Sequence, residues 1–108
     1  MEFTADQERL RKGAEILAKD RYSKLESDLD KTVVMTLSSL SVTRENRRVS
    51  DTKDYSKEII YKRGEEARME MKVLGGYLKP EDFQSYIEKI DLIVSDNTEI
   101  VEGLSGSI

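Results

Sequence analysis

An apolar stripe through the first forty residues is the feature that most limits what this chain can form. Thr4 followed by Gln7 fits a capping box, in which each side chain bonds the other residue's backbone N–H. The sequence therefore predicts a long first helix from Thr4 to about Leu40. Its apolar members mostly follow one another at steps of three and four residues, the spacing of one helix face: Leu10, Ala14, Leu17, Tyr22, Leu25, Leu29, Val33, Leu37 and Leu40.

A second interpretation stays open for the end of this segment. Thr32, Val33, Val34 and Thr36 are β-branched, which stiffens their side chains and favours strands over helices. The three- and four-residue spacing favours a helix here. The alternative is an α+β fold with a short strand near 32–43.

Two more helices are predicted after a loop. The loop covers 41–50, where Ser and Thr side chains compete for backbone hydrogen bonds, and we expect it to be mobile. The second helix starts near Ser50 or Asp51 and ends at Gly75, a C-cap residue, with an interruption at 62–64. The third helix starts at Pro80, which suits a first helical position, and the tail 105–108 is expected to fray. The apolar positions of the second helix are Tyr55, Ile59, Ala67, Met71 and Leu74.

The chain is predicted to be a single all-α domain over residues 1–108. At 108 residues it is large enough for one modest core, built from a long N-terminal helix and two shorter helices packed as an antiparallel bundle. The long helix should outreach its neighbours and leave apolar surface uncovered at one end. Such surface is usually buried by another protein, so we expect an oligomer, either a homodimer or a complex with another protein. The predicted interface residues are Leu29, Val33, Leu37, Leu40 and Met69.

The composition removes most catalytic chemistry. The chain has no Cys and no His, so it lacks thiolate metal sites, the commonest general base and the commonest metal ligand. No serine lies in a nucleophile motif, and Gly75-Gly76 does not continue into a phosphate-binding loop. We therefore expect no enzyme, no cofactor, no metal and no small-molecule substrate. Short apolar runs and an N-terminus without a signal pattern also favour a cytoplasmic protein that does not bind membranes.

Charge is distributed unevenly along the chain. Residues 44–63 carry seven basic and four acidic side chains, whereas residues 64–108 carry four basic and ten acidic ones. The favoured interpretation is that the basic segment pairs with the protein's own acidic last third. The alternative is a nucleic-acid contact, in which cationic side chains neutralise phosphates. The residues that would make it are Arg44, Arg47 and Arg48, aided by Lys53 and Lys57.

These patterns favour a non-catalytic protein-interaction module: a small helical adaptor, regulator or inhibitor that binds another macromolecule. A nucleic-acid-binding protein that uses the basic loop Arg44–Arg48 is the alternative. Methionine side chains adapt to different partners, but Met35 and Met71 are more simply explained as core residues. Met69 lies off the apolar stripe of the second helix, so we expect it to be exposed or at an interface.

Overall fold

The computed structural model describes residues 4–106 and contains three α-helices: α1 (Ala5–Ser41), α2 (Asn46–Gly75) and α3 (Pro80–Glu102). Consecutive helices run antiparallel, and every pair of helices is in contact. The bundle extends over 62 × 16 × 15 Å. The predicted all-α antiparallel bundle is thereby confirmed, whereas the predicted fraying of 107–108 lies outside the described residues.

Local sequence explains how α1 and α3 begin. The Thr4 hydroxyl accepts a hydrogen bond from the Gln7 backbone N–H at 3.3 Å, and the Thr4 N–H donates to Gln7 Oε1 at 2.8 Å. This is the predicted capping box. Pro80 is the first residue of α3, followed by Glu81 and Asp82, whose carboxylates suit the positive end of a helix dipole.

The ambiguous segment after residue 31 is helical. Thr32 Oγ1 donates to the Asp28 carbonyl at 2.9 Å, and Thr36 Oγ1 donates to the Thr32 carbonyl at 2.7 Å. Both β-branched hydroxyls therefore find acceptors inside the helix, and α1 continues to Ser41. Residues 4–106 contain no strand, so the helical interpretation is confirmed over 32–41 and the α+β alternative is not supported.

The loop predicted over 41–50 is shorter than expected. Helix α2 begins at Asn46, so only residues 42–45 join the two helices. The physical reason is a tertiary contact: Gly106 packs so closely on Val49 and on the Thr43 carbonyl oxygen that a Cβ at Gly106 would clash with both. Gly106 is half-buried against α2, whereas Ser105 is exposed, and the fraying of the tail stays a prediction.

Helix α2 also continues through the predicted interruption at 62–64. Gly64 is buried and faces α3, where a Cβ added to it would lie 2.5 Å from Val94 Cγ2. Further along the same pair of helices, a Cβ on Gly75 would lie 3.0 Å from the Phe83 ring. The glycines thus mark close approaches of α2 to α3, and Gly64 lies in a helix rather than a turn.

The core contains side chains from all three helices and from the α2–α3 connection. In the first half of α2 the buried positions are Ser56 and Ile60, whereas Tyr55, predicted to be apolar core, is 65% exposed. Thr36, Ser56 and Asn97 are the buried polar residues of the described chain. The buried hydrophobic cluster consists of Ala14, Ala18, Leu25, Leu29, Ile60, Ala67, Met71, Leu78, Ile90 and Val101.

Candidate partner-binding surface

Three of the five predicted interface residues belong to the interior of the bundle. Leu29 and Leu40 are fully buried, and Val33 is half-buried against the core. Their apolar stripe is covered by α2 and α3 within the same chain. The prediction that Leu29 and Leu40 contact a partner is therefore wrong, because neither side chain reaches the surface.

Leu37 and Met69 are the exposed members of the predicted interface, at 52% and 67% of their surface. Met69 is nine residues, or two and a half turns, from the core position Ile60, so it points to the opposite side of α2 and outward, as the off-stripe position predicted. Thr36, next to Leu37, contacts Ser56 on α2, and Met69 lies thirteen residues further along that helix. At 1.5 Å per residue the two sites are about 20 Å apart, so they do not form one surface.

A different surface carries exposed apolar side chains together, along the seam between α1 and α2. Two depressions lie on this α1–α2 face, each named here after one of its lining residues. The Arg21 depression, of about 450 Å³, is lined by Leu17, Asp20, Arg21, Lys24, Glu70, Val73 and Leu74. The Met35 depression, of about 140 Å³, is lined by Thr32, Met35, Thr36, Ser39, Thr52, Tyr55, Ser56 and Ile59.

Helix geometry places both depressions on the same side of the bundle. Arg21 and Met35 are fourteen residues apart on α1, close to four full turns and about 21 Å. Tyr55 and Val73 are eighteen residues apart on α2, which is five full turns. The two helices are joined at both depressions. Arg21 forms an ion pair with Glu70 at the first, and the Thr36 and Ser56 hydroxyls are in contact at the second.

Arg21 is the unusual charge of this surface. Its side chain is only 10% exposed, and Nε forms an ion pair with the Glu70 carboxylate. Nε and Nη1 are both fully buried, and the Glu70 carboxylate beside Nε is the counter-ion of the guanidinium. Burial of a cation is costly unless it is paired, and Glu70 provides this pairing.

Two of the five cations predicted to contact nucleic acid are bonded within the chain. Lys53 Nζ donates to the carbonyl oxygens of Glu102 at 2.5 Å and Leu104 at 3.0 Å. Lys57 pairs with Glu102 and with Asp54. The hydrogen bond from Lys57 lowers the pKa of the Glu102 carboxyl, and the same contact raises the pKa of Lys57. These contacts join the basic segment to the end of α3.

The three arginines of the basic loop remain at the surface. Arg44, Arg47 and Arg48 are exposed, and Arg48 Nε lies 3.3 Å from a carboxylate oxygen of Glu45. The structure thus brings the arginines together around the start of α2, apart from Lys53 and Lys57, whose amino groups face the end of α3.

Residues 4–106 provide neither a metal site nor a membrane span. No three acidic side chains there come close enough to hold a metal ion together. Nor is any of the three helices both long and apolar enough to span a lipid bilayer.

Sequence patterns provide little indication of the α1–α2 face. Arg21 stands in a charged stretch without a motif, and Val73 lies off the apolar stripe of α2. Comparison of the chain with known protein families, curated proteins and solved structures finds no match. The interpretation of the surface therefore depends on its geometry and chemistry.

Proposed function

We propose that the protein is a non-catalytic protein-interaction module, a small helical adaptor, regulator or inhibitor, whose α1–α2 face binds another protein chain. One observation carries the proposal: Leu17, Met35, Tyr55 and Val73 are 56%, 70%, 65% and 73% exposed within the two depressions. Burying apolar side chains of this size is favourable. Tyr and Met are also enriched at protein interfaces.

The shape of the face favours a helical partner. A groove between two antiparallel helices accepts a third helix laid along it, and an amphipathic helix binds in this way through apolar anchors. The exposed apolar side chains of the two depressions are eighteen residues, or about 27 Å, apart on each helix: Leu17 and Met35 on α1, and Tyr55 and Val73 on α2. Between them α2 carries the ion pair of Arg63 with Glu66, at 3.1 Å. The partner helix should therefore carry two apolar clusters about eighteen residues apart, with polar residues between them.

A second copy of this chain is the occupant that we propose. The bundle is 62 Å long and 16 Å wide, so one face offers about 1,000 Å², compared with roughly 800 Å² per partner in a standard stable interface. Two copies packed through their α1–α2 faces would therefore bury enough surface for a stable dimer. The second copy would also provide helices with the required spacing of apolar residues.

Light scattering tests this proposal through the molar mass of the wild type and two charged variants. Met35→Glu places a carboxylate in the Met35 depression and should convert the dimer to a monomer. Leu92→Glu is the matched control, since Leu92 is 62% exposed on α3 and should leave the dimer intact. A dimer that persists in Met35→Glu would contradict the assignment of the α1–α2 face.

A monomeric wild type would exclude the second copy as the occupant of the α1–α2 face. Affinity capture from the source cells, with the wild type compared with Met35→Glu, would then identify any protein that binds this face instead. Equal recovery of every captured protein by the wild type, Met35→Glu and Leu92→Glu would contradict the interaction-module proposal itself. Bound nucleic acid that disappears after replacing Arg44, Arg47 and Arg48 with Ala would instead support the nucleic-acid alternative.

A further inference from the structure

The side chains that α1 presents on the α1–α2 face follow a symmetric order. Lys24 and Asp28 stand at the middle, and on either side of them lie two apolar side chains, each more than half exposed. The steps between neighbours are seven, seven, four, seven and seven residues, which are close to whole helical turns and keep the set on one side of the helix. The six residues are Leu10, Leu17, Lys24, Asp28, Met35 and the C-cap residue Val42.

Helix α2 has the same kind of order on this face. Lys62 and Glu66 stand at the middle, again with the lysine first, and two apolar side chains lie on either side of them. The steps are four, three, four, three and four residues, which also keep the set on one side of the helix. The six residues are Tyr55, Ile59, Lys62, Glu66, Met69 and Val73.

The centres of the two orders lie at nearly the same level of the bundle. Arg21 pairs with Glu70, and Thr36 contacts Ser56. Between these contacts, position 26, the midpoint of the α1 order, is level with positions 65–66 of α2. At 1.5 Å per residue, that level is within about 3 Å of position 64, the midpoint of the α2 order. One two-fold axis across both helices therefore superimposes each order on itself.

We propose that two copies pack antiparallel through their α1–α2 faces, about a two-fold axis at this level, and that the central charges select this orientation. The inference rests on the proposed dimer and adds the contacts within it. Lys24 lies against Asp28 of the partner subunit, and Lys62 lies against Glu66 of the partner subunit. Lys24, Asp28 and Lys62 form no ion pair among residues 4–106, so their charges are available to fix the register of an interface.

The same axis covers the apolar side chains of α1. It places Leu17 against Met35 of the partner subunit, and Leu10 against Val42 of the partner subunit. A parallel pair of copies would place α1 over α2 of the partner subunit and would also bring opposite charges together. Val42 would then face the polar start of α2, near position 50. Of the two arrangements, the antiparallel one gives Val42, which is 81% exposed, an apolar contact.

Reversing the central charges of α1 tests the orientation. Lys24→Glu places a second carboxylate at each contact and Asp28→Lys places a second ammonium group there, so each variant alone should dimerise about tenfold more weakly than the wild type. Lys19→Glu is the matched control, because Lys19 lies beside α3, and it should dimerise as the wild type does.

Mixing the two reversed variants should restore the dimer. The new carboxylate of Lys24→Glu then faces the new ammonium group of Asp28→Lys, and the unchanged charges also meet as opposites. Native mass spectrometry distinguishes the three dimers by mass and should show the heterodimer well above the statistical half. In a parallel dimer the reversed groups would face Glu66 and Lys62 of the partner subunit, which neither variant changes, so the heterodimer would stay at the statistical half.

Introduced cysteines provide an independent measurement, because the chain contains none. Leu17→Cys and Met35→Cys each keep a small apolar side chain. Mixed and oxidised, they should form a disulfide-linked dimer, whereas neither variant alone should, since identical positions lie about 27 Å apart along an antiparallel dimer. A crosslink of Leu17→Cys with Val73→Cys instead would establish parallel packing and overturn the proposal.

Light scattering of the wild type separates this inference from the proposal on which it rests. A monomer would contradict the proposed dimer, and the orientation with it. A wild-type dimer that shows no enrichment of the heterodimer, or no crosslink between positions 17 and 35, would overturn the orientation alone.

Discussion

The Thr36 hydroxyl of α1 lies 2.5 Å from the Ser56 hydroxyl of α2, inside the contact between the two helices. The single hydroxyl proton of Thr36 is directed to the Thr32 carbonyl at 2.7 Å, so Ser56 is the donor in this pair. Thr36 is 2% exposed and Ser56 is 5% exposed. Neither hydroxyl can therefore exchange this contact for one with bulk water.

Removing one hydroxyl of this pair should lower the free energy of unfolding by more than half of the loss that removing both hydroxyls causes. Thr36→Val and Ser56→Ala should each lower the free energy of unfolding by about 1 kcal/mol, because each changes the hydrogen bonding of a buried partner. The double variant should lose less than the sum of the two single variants. Urea unfolding of all four proteins measures this coupling. Strictly additive losses would show that the two hydroxyls do not interact in solution.

Gly64→Ala should destabilise the protein by about 1–3 kcal/mol, as expected for overpacking. The added Cβ would lie 2.5 Å from Val94 Cγ2, and Val94 cannot easily rotate away because it is β-branched and helical. Gly13→Ala is the matched control, since nothing lies within 4 Å of its Cβ position. That exposed helical substitution should stabilise by up to about 1 kcal/mol. The thermal melts of both variants provide the measurement.

Shortening the opposing side chain gives a further check on this contact. Adding Val94→Ala to Gly64→Ala removes the clashing methyl groups and should recover part of the lost stability. The effect of Gly64→Ala should therefore be smaller in the Val94→Ala background than in the wild type. An equal loss of stability in both backgrounds would show that the destabilisation by Gly64→Ala does not come from its contact with Val94.

Arg21→Met should leave the free energy of unfolding unchanged or raise it by up to about 1 kcal/mol. The substitution removes a buried cation with unpaired donors, and Glu70, at 57% side-chain exposure, remains hydrated after losing its partner. Replacing a buried charge with a well-packed apolar side chain is often neutral or stabilising. Chemical denaturation measures the effect. A loss above about 1 kcal/mol would show that the guanidinium forms stabilising bonds in solution.

The ion pair of Lys57 with Glu102 predicts a dependence of stability on pH. This contact lowers the pKa of Glu102 below its ordinary value of 4.5. A carboxylate with a depressed folded-state pKa stabilises the protein above its unfolded pKa, and this stabilisation is lost as the pH falls through the folded pKa. Glu102→Gln should therefore lower the Tm at neutral pH, and the difference from the wild type should vanish in acid.

Melting curves between neutral pH and about pH 2 follow this loss. Glu99→Gln is the control, because Glu99 lies on the same end of α3 and has no ion pair among residues 4–106. The Tm difference between Glu99→Gln and the wild type should not vanish in acid in the same way. A Tm difference for Glu102→Gln that stays constant down to the lowest pH would contradict the contribution of the Lys57 pair.

Helix α1 is predictable because its signals are local. The capping box of Thr4 with Gln7 and the spacing of Leu25, Leu29 and Leu40 are visible in the sequence. The ambiguity after residue 31 comes from intrinsic strand preference, which depends strongly on context. It is resolved by the bonds of Thr32 and Thr36 to carbonyls one turn earlier and by the burial of that helix face.

Helix α2 is less predictable because two of its core positions are not apolar. Ser56 and Gly64 are buried, but neither adds to an apolar stripe, so the pattern indicates Tyr55 as core and a break near Gly64. Both residues are suited to the core by what lies opposite them: a hydroxyl on α1 and a bulky side chain on α3. Such partners depend on three-dimensional contact and cannot be derived from spacing alone.

The candidate surface is only partly accessible to sequence reasoning. Exposure of Met69 follows from its position off the stripe, but the pattern assigns Leu29 and Leu40 to an interface although the chain's own helices cover them. Arg21 carries no signal because arginine is ordinarily exposed, and only the packing of α1 on α2 buries it. A sequence pattern identifies the residues that need cover but does not identify the segment that covers them.

The close contact of Gly64 with Val94 also fixes how α3 is aligned along α2. Sliding α3 by one helical turn, about 5.4 Å, would move Val94 from Gly64 to the level of Ile60 or Arg68. Both of those positions carry side chains where the present alignment has only a hydrogen atom. The glycine thus penalises shifted arrangements of the same three helices and selects the register in which Val94 lies against it.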